Sequence, residues 1–186
     1  MASDLRIALP AELFAPAESS HFEGVATIDS LQAGPDELRF DEPLPFSVDV
    51  TNTGDAMLVE GTVTGVATIA CARCLEDATY TLEGEIDGYF LLNEPEYIDE
   101  DDEDFDVLSS DHVIDLEPLI SSALIVEAPL VPLCRDDCKG LCPQCGANLN
   151  EGPCGCAGDA ALEEFERAAN PFSALSQLVF DEDDGE

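Results

Sequence analysis

Residues 57–92 read MLVEGTVTGVATIACARCLEDATYTLEGEIDGYFLL. Met57, Val59, Gly61, Val63, Gly65, Ala67, Ile69 and Cys71 fall on one side of an extended chain, with Glu60, Thr62, Thr64 and Thr68 on the other. That alternation is the signature of a half-buried strand. A second follows, Tyr80, Leu82, Gly84, Ile86, Gly88, Phe90 and Leu92 alternating with Thr79, Thr81, Glu83, Glu85 and Asp87. The two runs predict an antiparallel hairpin whose connection holds Cys71-Ala72-Arg73-Cys74. Upstream, Leu38, Phe40, Phe46, Val48 and Val50 predict further short strands punctuated by Pro43 and Pro45, so residues 39–92 are mainly antiparallel β.

Downstream the pattern changes. Nine of the thirteen residues from Glu94 to Asp106 are acidic, a density of like charge that resists packing and predicts a loop. Asp115 is placed to cap a helix over about 116–127, in which Leu116, Leu119, Ile120, Ala123 and Leu124 recur at helical spacing and Glu117 and Pro118 fill the first turn. Pro129 and Pro132 then impose an extended approach to a Cys-rich segment. Beyond it, Asp159 and Asn170-Pro171 are placed to start two short helices, and the last six residues include five acids. The expected fold class is α+β: an antiparallel sheet or partly open barrel with a few short helices and a C-terminal, zinc-ribbon-like segment. Its expected parts are a mainly β domain over 1–128, a Cys-rich segment with helices over 129–180 and an acidic tail over 181–186.

Charge narrows the function. The 186-residue chain has 42 acidic and 6 basic side chains, a formal net charge of −36. A protein that grips nucleic acid by its phosphates commonly neutralises about 6 to 10 of them with Lys and Arg, which would consume every cation here. Bulk capture of RNA, DNA or an anionic membrane is therefore disfavoured. Disorder is disfavoured too, because 45% hydrophobic residues and nine Phe exceed what a solvated acidic coil carries. A chain of this size buries roughly 70% of its unfolded surface. With no basic-then-apolar leader at the start and no run of about 18 uncharged apolar residues, the expected location is the cytoplasm.

A reducing cytoplasm makes spaced cysteines more apt as metal ligands than as disulfides. The C-terminal cluster is Cys134-x3-Cys138-x3-Cys142-x2-Cys145-x8-Cys154-x-Cys156. Its centre, Cys142-Pro143-Gln144-Cys145-Gly146, can place two thiolates on one ion while Gly146 lets the chain turn back. Zinc suits four thiolates best, ahead of an Fe–S cluster or free thiols. Eight cysteines divide into two four-thiolate sites, Cys142, Cys145, Cys154 and Cys156 in one and Cys71, Cys74, Cys134 and Cys138 in the other. Arg73, Arg135 and Lys139, half of all the cations, flank the second set and would offset its charge. A single C-terminal site, with Cys71 a core thiol and Cys74 a hairpin residue, is the competing arrangement. A structural zinc contributes on the order of 10 to 16 kcal/mol of apparent binding energy to folding. Neither His21 nor His112 has ligand or triad spacing, and no phosphate-cradling loop or nucleophile elbow is present, so no catalytic residue is assigned.

The tip Cys71-Ala72-Arg73-Cys74-Leu75, the stretch Ala128-Pro129-Leu130-Val131-Pro132-Leu133-Cys134, the run Asp137-Cys138-Lys139-Gly140-Leu141-Cys142-Pro143-Gln144-Cys145-Gly146-Ala147-Asn148-Leu149-Asn150 and the terminal Asn170-Pro171-Phe172-Ser173-Ala174-Leu175 resemble, in that order, those of the YceD-like family of large ribosomal RNA subunit accumulation proteins. The resemblance covers roughly Leu38 to Leu178. It implies a non-enzymatic, cytoplasmic factor supporting accumulation of 23S rRNA or its precursor. Its partner would be that rRNA, met by Arg73, Arg135 and Lys139, or a basic large-subunit ribosomal protein. Neither a membrane nor a small-molecule substrate is expected. Some members keep the C-x-R-C hairpin without the second cluster, which implies that the C-terminal site is a staple.

Overall fold

The computed structural model describes residues 5–93 and 106–156. The acidic stretch 94–105, the helices expected from Asp159 and Asn170, and the tail lie outside the described residues. In chain order the elements are β1 (Arg6–Ala8), a 3-10 turn (Ala11–Phe14), β2 (Ser19–Ala26), β3 (Ser30–Ala33), β4 (Asp36–Phe40), β5 (Leu44–Asn52), β6 (Ala56–Ala70), β7 (Asp77–Leu91), β8 (Asp106–Val107), β9 (Val113–Asp115) and α1 (Glu117–Val126). The chain forms two compact units, Met1–Asp136 and Asp137–Glu186.

The β6–β7 hairpin is the spine of the sheet, in antiparallel register from Ala56↔Leu91 to Ala70↔Asp77. On its other edge β6 is shared, with β5 along Met57–Val63 and β4 at Ala67–Thr68. β2 and β3 extend those two branches. The odd positions of β6 face inward as the alternation requires: Val59, Val63, Ala67, Ile69 and then Cys71 are buried. Pro45 is tolerated within β5 because it lies before the stretch paired with β6.

The sheet is antiparallel over most of its ladders, as expected, and is not a closed barrel: among the described residues no ladder joins the β2 and β3 branches to β8. Two features depart from the sequence expectation. Asp106 belongs to β8, which runs parallel to β7 at Phe90↔Asp106 and Leu91↔Val107. The N-cap of α1 is Leu116, buried at the sheet, and Asp115 sits one residue outside it. The Asp115 carboxylate still accepts the Glu117 N–H at 3.0 Å, so a starting donor is satisfied from a neighbouring position. α1 is the one α-helix among the described residues.

α1 packs its Ile120, Ala123 and Leu124 face onto the core. Close approach depends on glycine. A Cβ at Gly84 of β7 would lie 2.8 Å from the Ala123 carbonyl carbon, a clash that any other residue would introduce. Leu5, Leu9 and Leu13 close the core from the N-terminal side, tied there by the β1–β9 pair. Among the described residues no helix is long and apolar enough to cross a membrane.

Candidate metal centres

The β6–β7 ladder ends in a loop whose bonds are fixed by backbone geometry. The Cys71 N–H donates to the Glu76 carbonyl at 2.8 Å, and the Leu75 N–H donates back to the Cys71 carbonyl at 2.9 Å. Leu75 reaches this turn with φ +63°. The chain after α1 is drawn onto the loop by three further bonds. Ala72 N–H donates to the Pro132 carbonyl at 2.8 Å. The Tyr80 hydroxyl donates to the Leu133 carbonyl at 2.7 Å and accepts the Leu133 N–H at 2.6 Å. Cys134 Sγ therefore comes to 3.5 Å from Cys74 Sγ. With Cys138, four residues further along, the sulfurs of Cys71, Cys74, Cys134 and Cys138 all lie within 4.8 Å of one another. Three of the four are buried.

The second loop repeats the first. The Cys142 N–H donates to the Ala147 carbonyl at 2.8 Å and the Gly146 N–H to the Cys142 carbonyl at 2.8 Å, with Gly146 at φ +73°. An isolated bridge, Leu141↔Asn148, and the Leu149 N–H to Gly140 carbonyl bond at 2.9 Å make it the end of a miniature hairpin. Gly155, at φ +54°, turns the chain between Cys154 and Cys156. The sulfurs of Cys142, Cys145, Cys154 and Cys156 then also fall within 4.8 Å of one another, in a more exposed setting.

Each leading thiol is tuned by the backbone N–H groups around it. Burial pushes Cys71 up, but the N–H groups of Cys134, Cys74 and Arg73 outweigh it and bring the thiol down to about 6. For Cys142, the N–H groups of Cys145 and Gln144 and then the Cys154 thiol bring it down to about 7. Cys145 feels the Ala147 N–H, yet the Cys156 and Cys142 sulfurs beside it leave it raised; Cys154 feels the Cys156 N–H and is likewise left raised by Cys142. This is the response of thiols crowded into one site, in which the first proton leaves easily and the others are held back.

The donor sets fit a tetrahedral ion. Zn–S bonds of about 2.3 Å imply sulfur separations near 3.8 Å, which falls inside the 4.8 Å within which each group's sulfurs lie. Four thiolates complete the coordination of a structural site, leaving no position for a substrate or attacking water. The structure thus gathers the eight cysteines into two groups of four. Arg73, Arg135 and Lys139 are exposed beside the first group. Lowering of the Cys71 thiol comes through backbone N–H groups, Arg73's among them.

His21 is elsewhere, 2.9 Å from Asp49 on the outer face of β2 and β5, and the His112 ring lies 4.3 Å from that of Phe14. Two positioning residues escape sequence reasoning. Tyr80 reads only as an inward strand residue, yet it clamps Leu133. Asn150 accepts the Lys139 N–H at 2.8 Å and donates from Nδ2 to Cys138 Sγ at 3.3 Å. A hydrogen bond of that kind orients a ligand sulfur and moderates its charge.

Comparison with known proteins gives a consistent result. The sequence pattern of a family described as "Large ribosomal RNA subunit accumulation protein YceD" matches residues 59–179, a stretch that contains both thiol groups. An uncharacterized protein of Mycobacterium tuberculosis is 34% identical over 110 residues, covering 59% of this chain and 53% of that protein. The chloroplastic "Large ribosomal RNA subunit accumulation protein YCED homolog 1" of Arabidopsis thaliana is 29% identical over 166 residues, covering 74% of this chain and 50% of that protein. The uncharacterized YlbN of Bacillus subtilis is 23% identical over 132 residues, covering 70% of this chain and 75% of that protein. The chain spans about half the length of the mycobacterial and plant relatives. No solved structure matches it.

Proposed function

Because the chain belongs to the YceD family of large ribosomal RNA subunit accumulation proteins, we propose that it is a non-enzymatic ribosome-biogenesis factor that supports accumulation of 23S rRNA or its precursor in the cytoplasm. The observation that carries this reading is the match over residues 59–179, which takes in all but the first three residues of the spine hairpin, α1 and both thiol groups. In this reading both groups hold zinc as structural ions. Cys71, Cys74, Cys134 and Cys138 would tie the hairpin tip to the chain that follows α1, and Cys142, Cys145, Cys154 and Cys156 would close the second loop. Zinc supplies cross-linking there and no reaction step. The protein's role is then to present a surface, and Arg73, Arg135 and Lys139 at the first group would make a local rRNA contact.

A second reading is favoured by the net charge of −36. Here the protein is an acidic adaptor or chaperone for a basic large-subunit ribosomal protein and does not touch RNA, the charges being matched as at other steered interfaces. Depletion of the protein in its own cells tests the function common to both. The 23S rRNA should fall relative to 16S rRNA, and an unchanged ratio rejects the assignment. Salt-titrated binding to a 23S precursor fragment separates the two. A steep salt slope that Arg73→Ala and Lys139→Ala flatten supports the RNA contact, whereas absence of binding with co-purification of a basic ribosomal protein supports the adaptor.

A further inference from the structure

Two hollows flank the C-terminal end of α1, both within the first unit and neither sharing a residue with the thiol groups. One, of about 280 Å³, lies between the β3–β4 turn and the segment after α1, with Ala33, Leu38, Ile125 and Leu130 among its walls and Asp36 at its rim. The other, of about 290 Å³, lies between β7 and α1, with Val126 and Leu119 beside Glu85, Asp87 and Glu127. Apolar side chains occupy the ground around them. Ile125, Val126, Leu130 and Val131 are 36%, 79%, 100% and 61% exposed. One exposed aliphatic residue is ordinary, but four within seven residues, three of them lining the two hollows, form a patch of the kind that marks a contact surface.

Charge specifies what the patch accepts. Asp36, Glu85, Asp87 and Glu127 line the hollows and no Lys or Arg does. The last turn of α1 carries no basic residue, so the negative end of its dipole is left to act on whatever lies there. We infer that this face docks a basic polypeptide segment, with one or two aliphatic side chains seated over Val126 and Leu130 and flanking Lys or Arg side chains meeting Asp36, Glu127 and the β7 carboxylates. RNA would bring phosphates against carboxylates. A second copy would bring this same acidic rim, on a chain of charge −36, against itself. The inference deepens the adaptor reading and rests on its basic partner.

A short fluorescein-labelled Lys/Leu peptide, beside the same peptide with Ser in place of Leu, tests the groove on the full-length protein by fluorescence anisotropy. The Leu peptide should bind more tightly than the Ser peptide. The double variant Val126→Ser/Leu130→Ser, which alters exposed side chains and should keep the parent melting temperature, should bind at least about tenfold more weakly. Glu127→Lys should weaken binding and flatten its salt dependence, while Glu23→Lys on the remote β2 leaves it nearly unchanged. Equal binding of the two peptides, an unaffected double variant, direct binding of a labelled RNA oligonucleotide that the double variant loses, or a dimer that the double variant dissolves would each overturn the proposal. Capture of ribosomal proteins from lysate separates this from the adaptor reading. If the double variant captures a basic ribosomal protein as well as the parent does, the groove fails and the adaptor stands. If the parent binds the peptide at the groove but captures none, the adaptor fails and the groove stands.

Discussion

Leu75 and Gly146 hold the same place in two loops with the same bonds, each donating its N–H to the carbonyl of the leading Cys from a positive-φ backbone. Glycine meets that requirement without strain, whereas a side chain there costs roughly 1–2 kcal/mol. Leu75 recovers little of this by burial, being exposed. Leu75→Gly is therefore expected to stabilise the protein by about 0.5–1 kcal/mol after allowing for the added freedom of the unfolded chain, seen as a melting temperature a few degrees higher. A lower melting temperature would show that the leucine side chain contributes something the loop geometry does not reveal. At this scale the sequence shows which cysteines neighbour one another along the chain, and spacing indicates the partition into fours. The clamps are not legible. Tyr80 meets Leu133 and Asn150 meets Cys138 through placements set by the folded chain, and neither residue belongs to a spacing pattern.

Among the elements, the β6–β7 hairpin was the most legible because both strands bury one face and expose the other, so period two survives along their whole length. α1 was legible for the corresponding reason at helical spacing. β1, β8 and β9 were not, since runs of two or three residues are too short to show a period. Among the described residues the sheet is left unclosed at the same edges, where pairing partners are the least visible in sequence. The junction between hairpin and helix is the place to test the packing. Gly84→Val puts a branched side chain against the Ala123 backbone and is expected to cost about 2–3 kcal/mol, measured by urea unfolding. Glu83→Val, on the outward face one residue away, should stay within about 0.5 kcal/mol of the parent. Similar values for the two variants would mean that α1 does not rest on β7 as described.

For the molecule as a whole, stability is distributed unevenly between the units. The first has a continuous core from Leu5 to Leu124, whereas in the described part of the second, residues 137–156, the buried side chains are the thiols of Cys138 and Cys142. With zinc on Cys142, Cys145, Cys154 and Cys156, as proposed, the second unit's described fold should depend on that ion. Elemental analysis is expected to find about two zinc per chain, from two four-thiolate sites. A strong chelator should abolish amide-exchange protection at Cys142, Gly146 and Leu149 while leaving Val59 and Val63 protected. Protection that survives at Cys142, Gly146 and Leu149 after the metal is gone would refute this dependence. The tip of the spine has a different consequence. Fifteen residue pairs run from Ala70↔Asp77 to Ala56↔Leu91, and a ladder of that length with alternating faces can in principle slip by one residue and turn its apolar set outward. Here the closed end is pinned by the Cys71–Glu76 bond, by Pro132 on Ala72 and by a sulfur cage that only one frame can assemble. The tip is an end-stop, against which strand pairing is counted from its first rung.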